Sequence, residues 1–194
     1  MSPSNPRSRQ RIVAGAADMI RRRGLHATSI REVAKHADAP LGSTYHYFPG
    51  GKQQLVTEAI QYAGDTIATL LRNELEAGPV AGLRGFLALW HETLISTGYQ
   101  AGCPVLGVAI EELPGDDSAT ARTAAAEVFA TWQILLADAL RQHGTPEQQA
   151  GQLATTIIAA TEGAIALCRA QHDTAPLDEV AAQLEALVTT ALSG

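Results

Sequence analysis

Cysteines and aromatic residues are scarce in this chain of 194 residues. Its two cysteines, Cys103 and Cys168, form neither a disulfide framework nor a metal-site spacing, which favours a reducing cytoplasmic location. Aromatic residues make up only 5% and charged residues 18%, whereas hydrophobic residues reach 46%. This composition predicts a globular protein with an ample core.

Long hydrophobic runs are missing as well. The first residues, MSPSNPRSRQR, are polar and basic and lack the apolar stretch of a signal peptide. The longest apolar tract, residues 153–168, contains three threonines and Glu162, which makes it too polar and too short for a membrane span. We therefore expect no membrane partner.

The net charge of −6 conceals two oppositely charged regions. Residues 1–52 hold nine Lys and Arg against three Asp and Glu, a net charge of +6. The remaining residues hold five Lys and Arg against seventeen Asp and Glu, a net charge of −12. An N-terminal quarter of this kind can lie against a polyanion, although a solvated basic helix has the same composition.

Apolar residues recur at helical spacing from end to end of the chain, and strand patterns are almost absent. Glycine and proline divide the pattern into about nine helices, so the predicted fold class is all-α. The charge changes sign near Gly50-Gly51, which separates an N-terminal domain, residues 1–50, from a larger helical domain, residues 51–194. The helix that begins at Lys52 is about 39 Å long at 1.5 Å per residue, enough to join two bodies.

Two short helices follow a longer amphipathic one in the N-terminal domain. The second helix opens with Ser29 and Glu32, which have the spacing of a capping box. Only Asp38 and Ala39 separate it from a third helix, in which Pro40 suits the first turn. Two short helices joined by a tight turn and braced by a preceding helix form a helix-turn-helix, whose second helix fits the major groove of DNA.

The third helix concentrates the groups that a DNA contact needs. Small residues at its start allow close approach to DNA, and its polar residues can donate to phosphates or base edges. The predicted contacts in this helix are Gly42, Ser43, Thr44, Tyr45, His46 and Tyr47. Phe48 is expected to turn inward. Lys52, at the start of the next helix, is predicted to bind a phosphate together with the helix amides, and Arg7 is a further candidate phosphate contact.

From Arg11 to Leu55 the sequence resembles the tetracycline-repressor (TetR) family of transcription regulators. The resemblance covers about a quarter of the chain and rests on Ile12, Ala16-Ala17, Gly24, Thr28-Ser29-Ile30, Val33-Ala34, Gly42-Ser43, Tyr45, Tyr47-Phe48, Lys52 and Leu55. It implies a DNA-binding domain, in which Thr28 and Ser29 also contact DNA, and a second domain for effector binding and dimerisation. The segments HYFPGGK and GCPVLGVAIEE are similar to a branch that includes lincomycin-resistance-type repressors.

The chain departs from the family pattern at three points. Asp38 stands where the family usually has Gly, and Pro40 stands where it often has Ser. The spacing from Phe48 to Lys52 is one residue longer than usual. Asp adopts a left-handed turn less readily than Gly but more readily than most residues, and the longer spacing changes the phosphate reach of Lys52.

In the second domain, the scarce aromatic residues and a few polar ones are candidates for an effector pocket, because pockets between helices are mostly apolar with few polar groups. Each of these aromatic residues is also typical of a buried core position without any ligand contact. The predicted effector-binding residues are Phe86, Trp90, His91, Tyr99, Cys103, Val108, Phe129, Trp132 and Glu162. The small and aliphatic residues of the last two helices can pack against a second copy or within the same chain. The predicted dimer-interface residues are Ile157, Ala160, Ala164, Leu184, Leu187 and Val188.

The sequence therefore predicts a homodimeric repressor that a hydrophobic small molecule releases from a palindromic operator in double-stranded DNA. Two alternatives stay open, a DNA-binding protein without an effector and an all-helical enzyme acting on a small molecule. The sequence contains no Ser-His-Asp or Cys-His constellation and no phosphate loop, so no catalytic motif supports the enzyme alternative. His26, His36 and His46 lie ten residues apart without an acidic partner pattern, so we predict no metal and no cofactor.

Overall fold

The computed structural model describes residues 6–111 and 117–193 of the protein. Within these two ranges there are nine helices and no strand, which confirms the predicted all-α class. The helices are α1 (Pro6–Arg23), α2 (Ile30–His36), α3 (Leu41–Tyr47), α4 (Gly51–Leu75), α5 (Pro79–Ser96), α6 (Pro104–Ile110), α7 (Asp117–Gln142), α8 (Glu147–Gln171) and α9 (Ala175–Leu192).

Local signals in the sequence explain where α1 ends. Gly24 follows the helix with a φ of 79°, a conformation that strains a residue with a side chain. Its amide donates to the Ile20 carbonyl at 2.9 Å and so caps the last turn. The last turn itself holds Arg21, Arg22 and Arg23, whose charges interact favourably with the helix dipole.

The helices group into two compact units, each made of two chain segments. Unit 1 comprises the described residues up to Asp65 together with those of Cys103–Val128, and unit 2 comprises the others. This grouping differs from the predicted boundary at residue 50, because α6 packs on α1 and the first turns of α4 belong with α1 to α3. Helices α4 and α7 contribute residues to both units.

Each unit has its own apolar core. In unit 1 the apolar side of α1 is buried, with Ile12 and Ala16 fully covered. In unit 2 the largest fully covered side chains are Trp132 and Phe86. Burying one such large apolar side chain contributes about 1.5–3 kcal/mol to folding.

Helix α8 has the length and the mean hydropathy, 1.3, of a membrane span, by composition alone. Its apolar side, including Ile157 and Ile165, is buried in unit 2, where α8 packs on α9 and α5. A core helix passes the same test of length and hydropathy, and the packing explains the composition of α8.

Candidate nucleic-acid interface

Helices α2 and α3, with the turn between them, form a helix-turn-helix in unit 1. The turn reverses at Asp38, which has a φ of 48° at the position where the related pattern usually has glycine. The Ala39 amide donates to the Ala34 carbonyl at 2.8 Å and closes the turn. Arg11 on α1 donates to the Asp38 carbonyl at 2.9 Å, so α1 helps to fix the angle between the two short helices.

At the N-terminus of α2, Thr28 and Ser29 have different roles. Ser29 is exposed, and its hydroxyl accepts the Glu32 amide at 3.2 Å, which is the first half of the predicted capping box. Thr28 is 1% exposed, and its hydroxyl donates to the Gly24 carbonyl at 2.8 Å. The expectation that Thr28 contacts DNA is therefore corrected: its side chain holds the turn that leads into α2.

Helix α3 has an exposed side and a buried side. Tyr45 is 55% exposed, His46 and Gly42 are exposed, and Ser43 and Tyr47 are half-buried. Thr44 is fully buried, and its hydroxyl donates to the Pro40 carbonyl at 3.2 Å. The prediction that Thr44 offers a donor to DNA is therefore wrong in this structure, because Thr44 lies on the side of the helix that faces the core.

The structure confirms the expectation that the side chain of Phe48 turns inward. Its ring is fully buried, and the Arg9 guanidinium lies 5.0 Å from the ring centroid. Arg9 also forms a salt bridge of 2.6 Å with Glu58 on α4. Gln54 donates to the same carboxylate at 2.9 Å. Through these contacts the C-terminal end of α3 packs against α1, which is in turn paired with α4.

Lys52 is engaged within the protein. Its ammonium group donates to the Leu25 carbonyl at 2.7 Å, and the side chain is half-buried. Burial lowers the pKa of Lys52, and the nearby charge of Glu111 partly opposes this shift. The predicted phosphate contact of Lys52 thus competes with an internal hydrogen bond.

Positive charge is nevertheless present on the surface of unit 1. Exposed cationic side chains come from the start and end of α1 and from α2. They are Arg7, Arg11, Arg23, Arg31 and Lys35. Charges of this kind supply the contacts to phosphate that position a helix-turn-helix on DNA.

A cluster around Asp18 joins α1 to α2. Its carboxylate accepts from Arg21 at 2.8 Å and from Arg22 at 3.1 Å, and it lies 2.9 Å from the ring nitrogen Nε2 of His36. Burial raises the pKa of Asp18, but the hydrogen bonds and charges of Arg21 and Arg22 outweigh it, so the pKa lies below its usual value. The cluster therefore stabilises the fold when Asp18 is ionised.

We expect Asp18→Asn to lower the free energy of unfolding by about 1–2 kcal/mol at pH 7, since it removes a charged acceptor with three partners. Because the folded pKa is depressed, this contribution is present above the unfolded pKa of about 3.9 and is lost as the pH falls through the folded value. Urea denaturation at pH 7 and at pH 3 measures both effects. Asp138→Asn, which removes a partner of exposed Arg141, is the matched control. Equal losses in the two variants at pH 7 would contradict the prediction.

In unit 2, four of the predicted effector residues form one aromatic cluster. Phe86 lies 6.2 Å from Trp90 and 6.1 Å from Trp132, and Phe129 lies 5.5 Å from Trp132, all ring centroid to ring centroid. Phe86 and Trp132 are fully buried, whereas Phe129 is half-buried. The buried indole N–H of Trp90 has no hydrogen-bond partner among the described residues, a position that suits an acceptor from outside the chain.

The other predicted effector residues are more dispersed. His91 lies 3.9 Å from Asp178, and Glu162 is 5% exposed on α8. Tyr99 has a φ of 62°, and its ring centroid lies 5.6 Å from that of His172. All of these residues belong to unit 2.

The last two predicted effector residues are Cys103 and Val108. Both belong to unit 1, where Val108 is fully buried in α6. The Cys103 sulfur caps α6 by accepting the Leu106 amide at 3.5 Å. Both residues are buried in unit 1, and their part in an effector pocket stays a prediction.

Most of the predicted dimer-interface residues lie inside the chain. Ile157, Ala164, Leu184 and Val188 are each at most 3% exposed, because α8 and α9 pack against one another and against α5. For these four the expectation is corrected in favour of a role in the core. Ala160 is half-buried, and Leu187 is 48% exposed.

The outward surface of α8 and α9 consists largely of small residues. It also holds two exposed leucines, Leu167 at 51% and Leu187 at 48%. We name this surface the α8–α9 outer face. Its exposed residues include Ala159, Gly163, Ala166, Leu167, Ala182, Ala186, Leu187 and Thr190.

The salt bridge between Arg9 and Glu58 and the contacts of the Glu111 carboxylate could not be predicted from the sequence. Glu111 follows the last turn of α6 and accepts from the backbone amides of Leu25 and His26. One local signal pointed to it: a carboxylate at the C-terminal end of a helix is unfavourable next to the helix dipole. Such a residue needs a partner elsewhere in the fold.

Together, the helix-turn-helix, its exposed α3 and the exposed cations of α1 and α2 define a DNA-binding transcription regulator. Comparison with known proteins identifies the family. Residues 12–59 match the bacterial regulatory proteins of the tetR family, and residues 79–183 match the C-terminal domain of LmrA/YxaF-like transcriptional regulators. The chain belongs to the TetR family.

Relatives along the whole chain agree with this assignment. The HTH-type transcriptional regulator Rv0196 of Mycobacterium tuberculosis is 42% identical over 189 residues, 95% of each chain. The regulator LmrA of Bacillus subtilis is 31% identical over 172 residues, 88% of this chain and 90% of LmrA. The crystal structure of a regulatory protein TetR from Rhodobacter sphaeroides superposes with a TM-score of 0.80 at 25% identity, covering 92% of this chain and 97% of that one.

Proposed function

We propose that this regulator is a homodimeric repressor, which binds a palindromic operator and is released from it by a hydrophobic small molecule in the cytoplasm. The observation that carries the proposal is the exposure of Tyr45 and His46 on a short α3. The buried Phe48 and the capped α2 hold this helix in place. Regulators of the TetR family bind operator DNA and act as dimers, and the family's members are not enzymes.

The proposed dimer forms through the α8–α9 outer face. Small side chains allow helices of two copies to approach closely, and Leu167 and Leu187 supply apolar area that is half exposed in one chain. A twofold dimer presents two copies of α3, which read two half-sites about 34–36 Å apart. The twofold symmetry of the dimer explains why the operator should be palindromic.

The proposed effector binds in unit 2 beside the aromatic cluster. The Trp90 indole N–H is buried without a partner among the described side chains, so an effector with an apolar body and one hydrogen-bond acceptor suits it. Helices α4 and α7 contribute residues to both units, so each links the proposed effector site of unit 2 to the DNA-binding unit through one continuous helix. Coupling of this kind typically changes affinity about 5- to 150-fold.

The test is a mobility-shift and footprinting assay on DNA upstream of the protein's own gene, with wild type and Tyr45→Ala. We expect a symmetric footprint and a specific affinity that falls about tenfold or more in the variant, because a base-edge contact contributes about 1–3 kcal/mol. Ile110→Ala, which also removes an exposed large side chain from unit 1, should bind like wild type. A single asymmetric half-site would argue against the dimeric repressor, and the same loss in both variants would remove Tyr45 from the interface.

A further inference from the structure

Glu111 joins three elements of unit 1. Its Oε2 accepts from the backbone amide of Leu25 at 2.9 Å and from that of His26 at 3.2 Å, in the turn between α1 and α2. Lys52, at the start of α4, donates to the Leu25 carbonyl at 2.7 Å, and its ammonium interacts favourably with the Glu111 charge. We name these contacts of Glu111, Leu25, His26 and Lys52 the Glu111 clasp.

The backbone of the turn is shaped to receive the carboxylate. Gly24 has a φ of 79°, and a Cβ atom there would clash with Oε1 of Glu111. Any side chain at this position would therefore push the carboxylate away and also strain the turn. A carboxylate at the C-terminal end of α6 is repelled by the helix dipole. The amides of Leu25 and His26 and the charge of Lys52 offset this repulsion and stabilise the carboxylate there.

The turn that the clasp holds leads directly into the helix-turn-helix. Thr28 is fully buried and donates to the Gly24 carbonyl, so the residues from Gly24 to Thr28 form one hydrogen-bonded piece. Ser29 follows at once and caps α2. A shift of Glu111 would consequently displace the N-terminus of α2 and the first turn of α4 together.

We propose that Glu111 is a positioning residue for DNA binding, which holds the α1–α2 turn and Lys52 in the arrangement that lets α2 and α3 bind the operator. Glu111 does not itself contact DNA. The proposal rests on the proposed DNA-binding function and adds to it a residue of α6, outside the helix-turn-helix, on which operator affinity depends.

The direction in which operator affinity changes distinguishes this positioning role from a direct effect of the Glu111 charge on DNA. Removing a negative charge from a DNA-binding unit normally strengthens binding to the polyanion. If Glu111 acts through the clasp, its removal weakens operator binding instead. It should also lower the dependence of affinity on salt, because phosphate contacts that need the correct position of the α1–α2 turn and of α2 are lost.

The experiment compares full-length wild type, Glu111→Gln, Glu111→Ala and Glu127→Gln. Glu127 is exposed on α7 of the same unit, so Glu127→Gln makes the same charge change outside the clasp. Two readouts are needed: operator affinity at several salt concentrations, and hydrogen exchange of the Leu25 and His26 amides. Gly24→Ala disturbs the clasp from the other side and should behave like Glu111→Ala.

We expect Glu111→Ala to weaken operator binding about tenfold and to speed exchange of the two amides by a similar factor, since hydrogen bonds to a charged group are strong. Glu111→Gln, which keeps an acceptor oxygen, should fall between Glu111→Ala and wild type. The salt slope of Glu111→Ala should fall by about one unit, which a loss of stability alone would not produce. Glu127→Gln should bind DNA no more weakly than wild type.

Three results would overturn the proposal. Faster exchange with unchanged operator affinity and slope would make the clasp a purely structural contact. Unchanged exchange in Glu111→Ala would mean that the clasp does not hold the turn in solution. A wild-type protein that binds no DNA would refute the proposed function and this role with it, while the exchange data would still report whether the clasp exists.

Discussion

Phe48→Ala is expected to destabilise unit 1 by about 3–5 kcal/mol and to abolish specific DNA binding. The ring is fully buried at the C-terminal end of α3, and Arg9 packs over it while paired with Glu58. Alanine would leave a cavity and remove the surface on which the Arg9 guanidinium rests. Helix α3 has only seven residues, too few to keep its position without that contact.

Urea denaturation measures the stability change, and a mobility-shift assay measures DNA binding. Phe48→Leu serves as the graded control, because it keeps most of the apolar volume and should lose less of both properties. Phe129→Ala, in unit 2, should lower stability without changing the DNA sequence preference of the folded protein. If Phe48→Ala unfolds at the same urea concentration as wild type, the ring does not anchor α3.

A double substitution in the α8–α9 outer face, Ala159→Arg with Ala186→Arg, is expected to separate the dimer and to weaken operator binding by a factor on the order of 100 or more. Both alanines are exposed in the single chain, so the arginines can be accommodated in a monomer. Between two copies they would bring like charges into a closely packed interface without partners. Binding through one half-site then loses the advantage of the linked second site.

Analytical ultracentrifugation measures the dimerisation of this variant, and operator titration measures its affinity. Ala88→Arg, at an exposed position on α5 of the same unit, adds the same side chain outside the proposed interface. It should remain dimeric and should bind the operator like wild type. A double variant that still sediments as a dimer would show that the two copies associate through another surface.

The local features of the helix-turn-helix could be predicted from the sequence. Ser29 caps α2 as expected from its spacing to Glu32, and Asp38 adopts the left-handed conformation that the family pattern places there. Phe48 turns inward as expected. These features depend on neighbours within a few residues, and hydrogen bonding and backbone sterics act over that range whatever the rest of the fold does.

The direction in which a side chain faces could not be predicted where two sides of a helix look alike. Thr44 and Tyr45 are adjacent and both polar, yet Thr44 is buried and Tyr45 is exposed. In the last two helices, small and aliphatic residues occur on both sides. From the sequence alone, Val188 and Leu187 were therefore equally good candidates for a dimer interface. The packing of α8 on α9 buries the first and leaves the second exposed.

By itself, then, the sequence determined the all-α class, the end of α1, the cap of α2, the helix-turn-helix and the family, because helical periodicity, caps and turn residues act locally. Only the tertiary structure decided that α6 packs with α1, that Lys52 donates to Leu25, and that Glu111 accepts from the α1–α2 turn. Glu111 and Leu25 lie 86 residues apart in the chain. Local preferences set no distance between such residues, and contacts of this range form only when whole helices pack to bury their apolar faces.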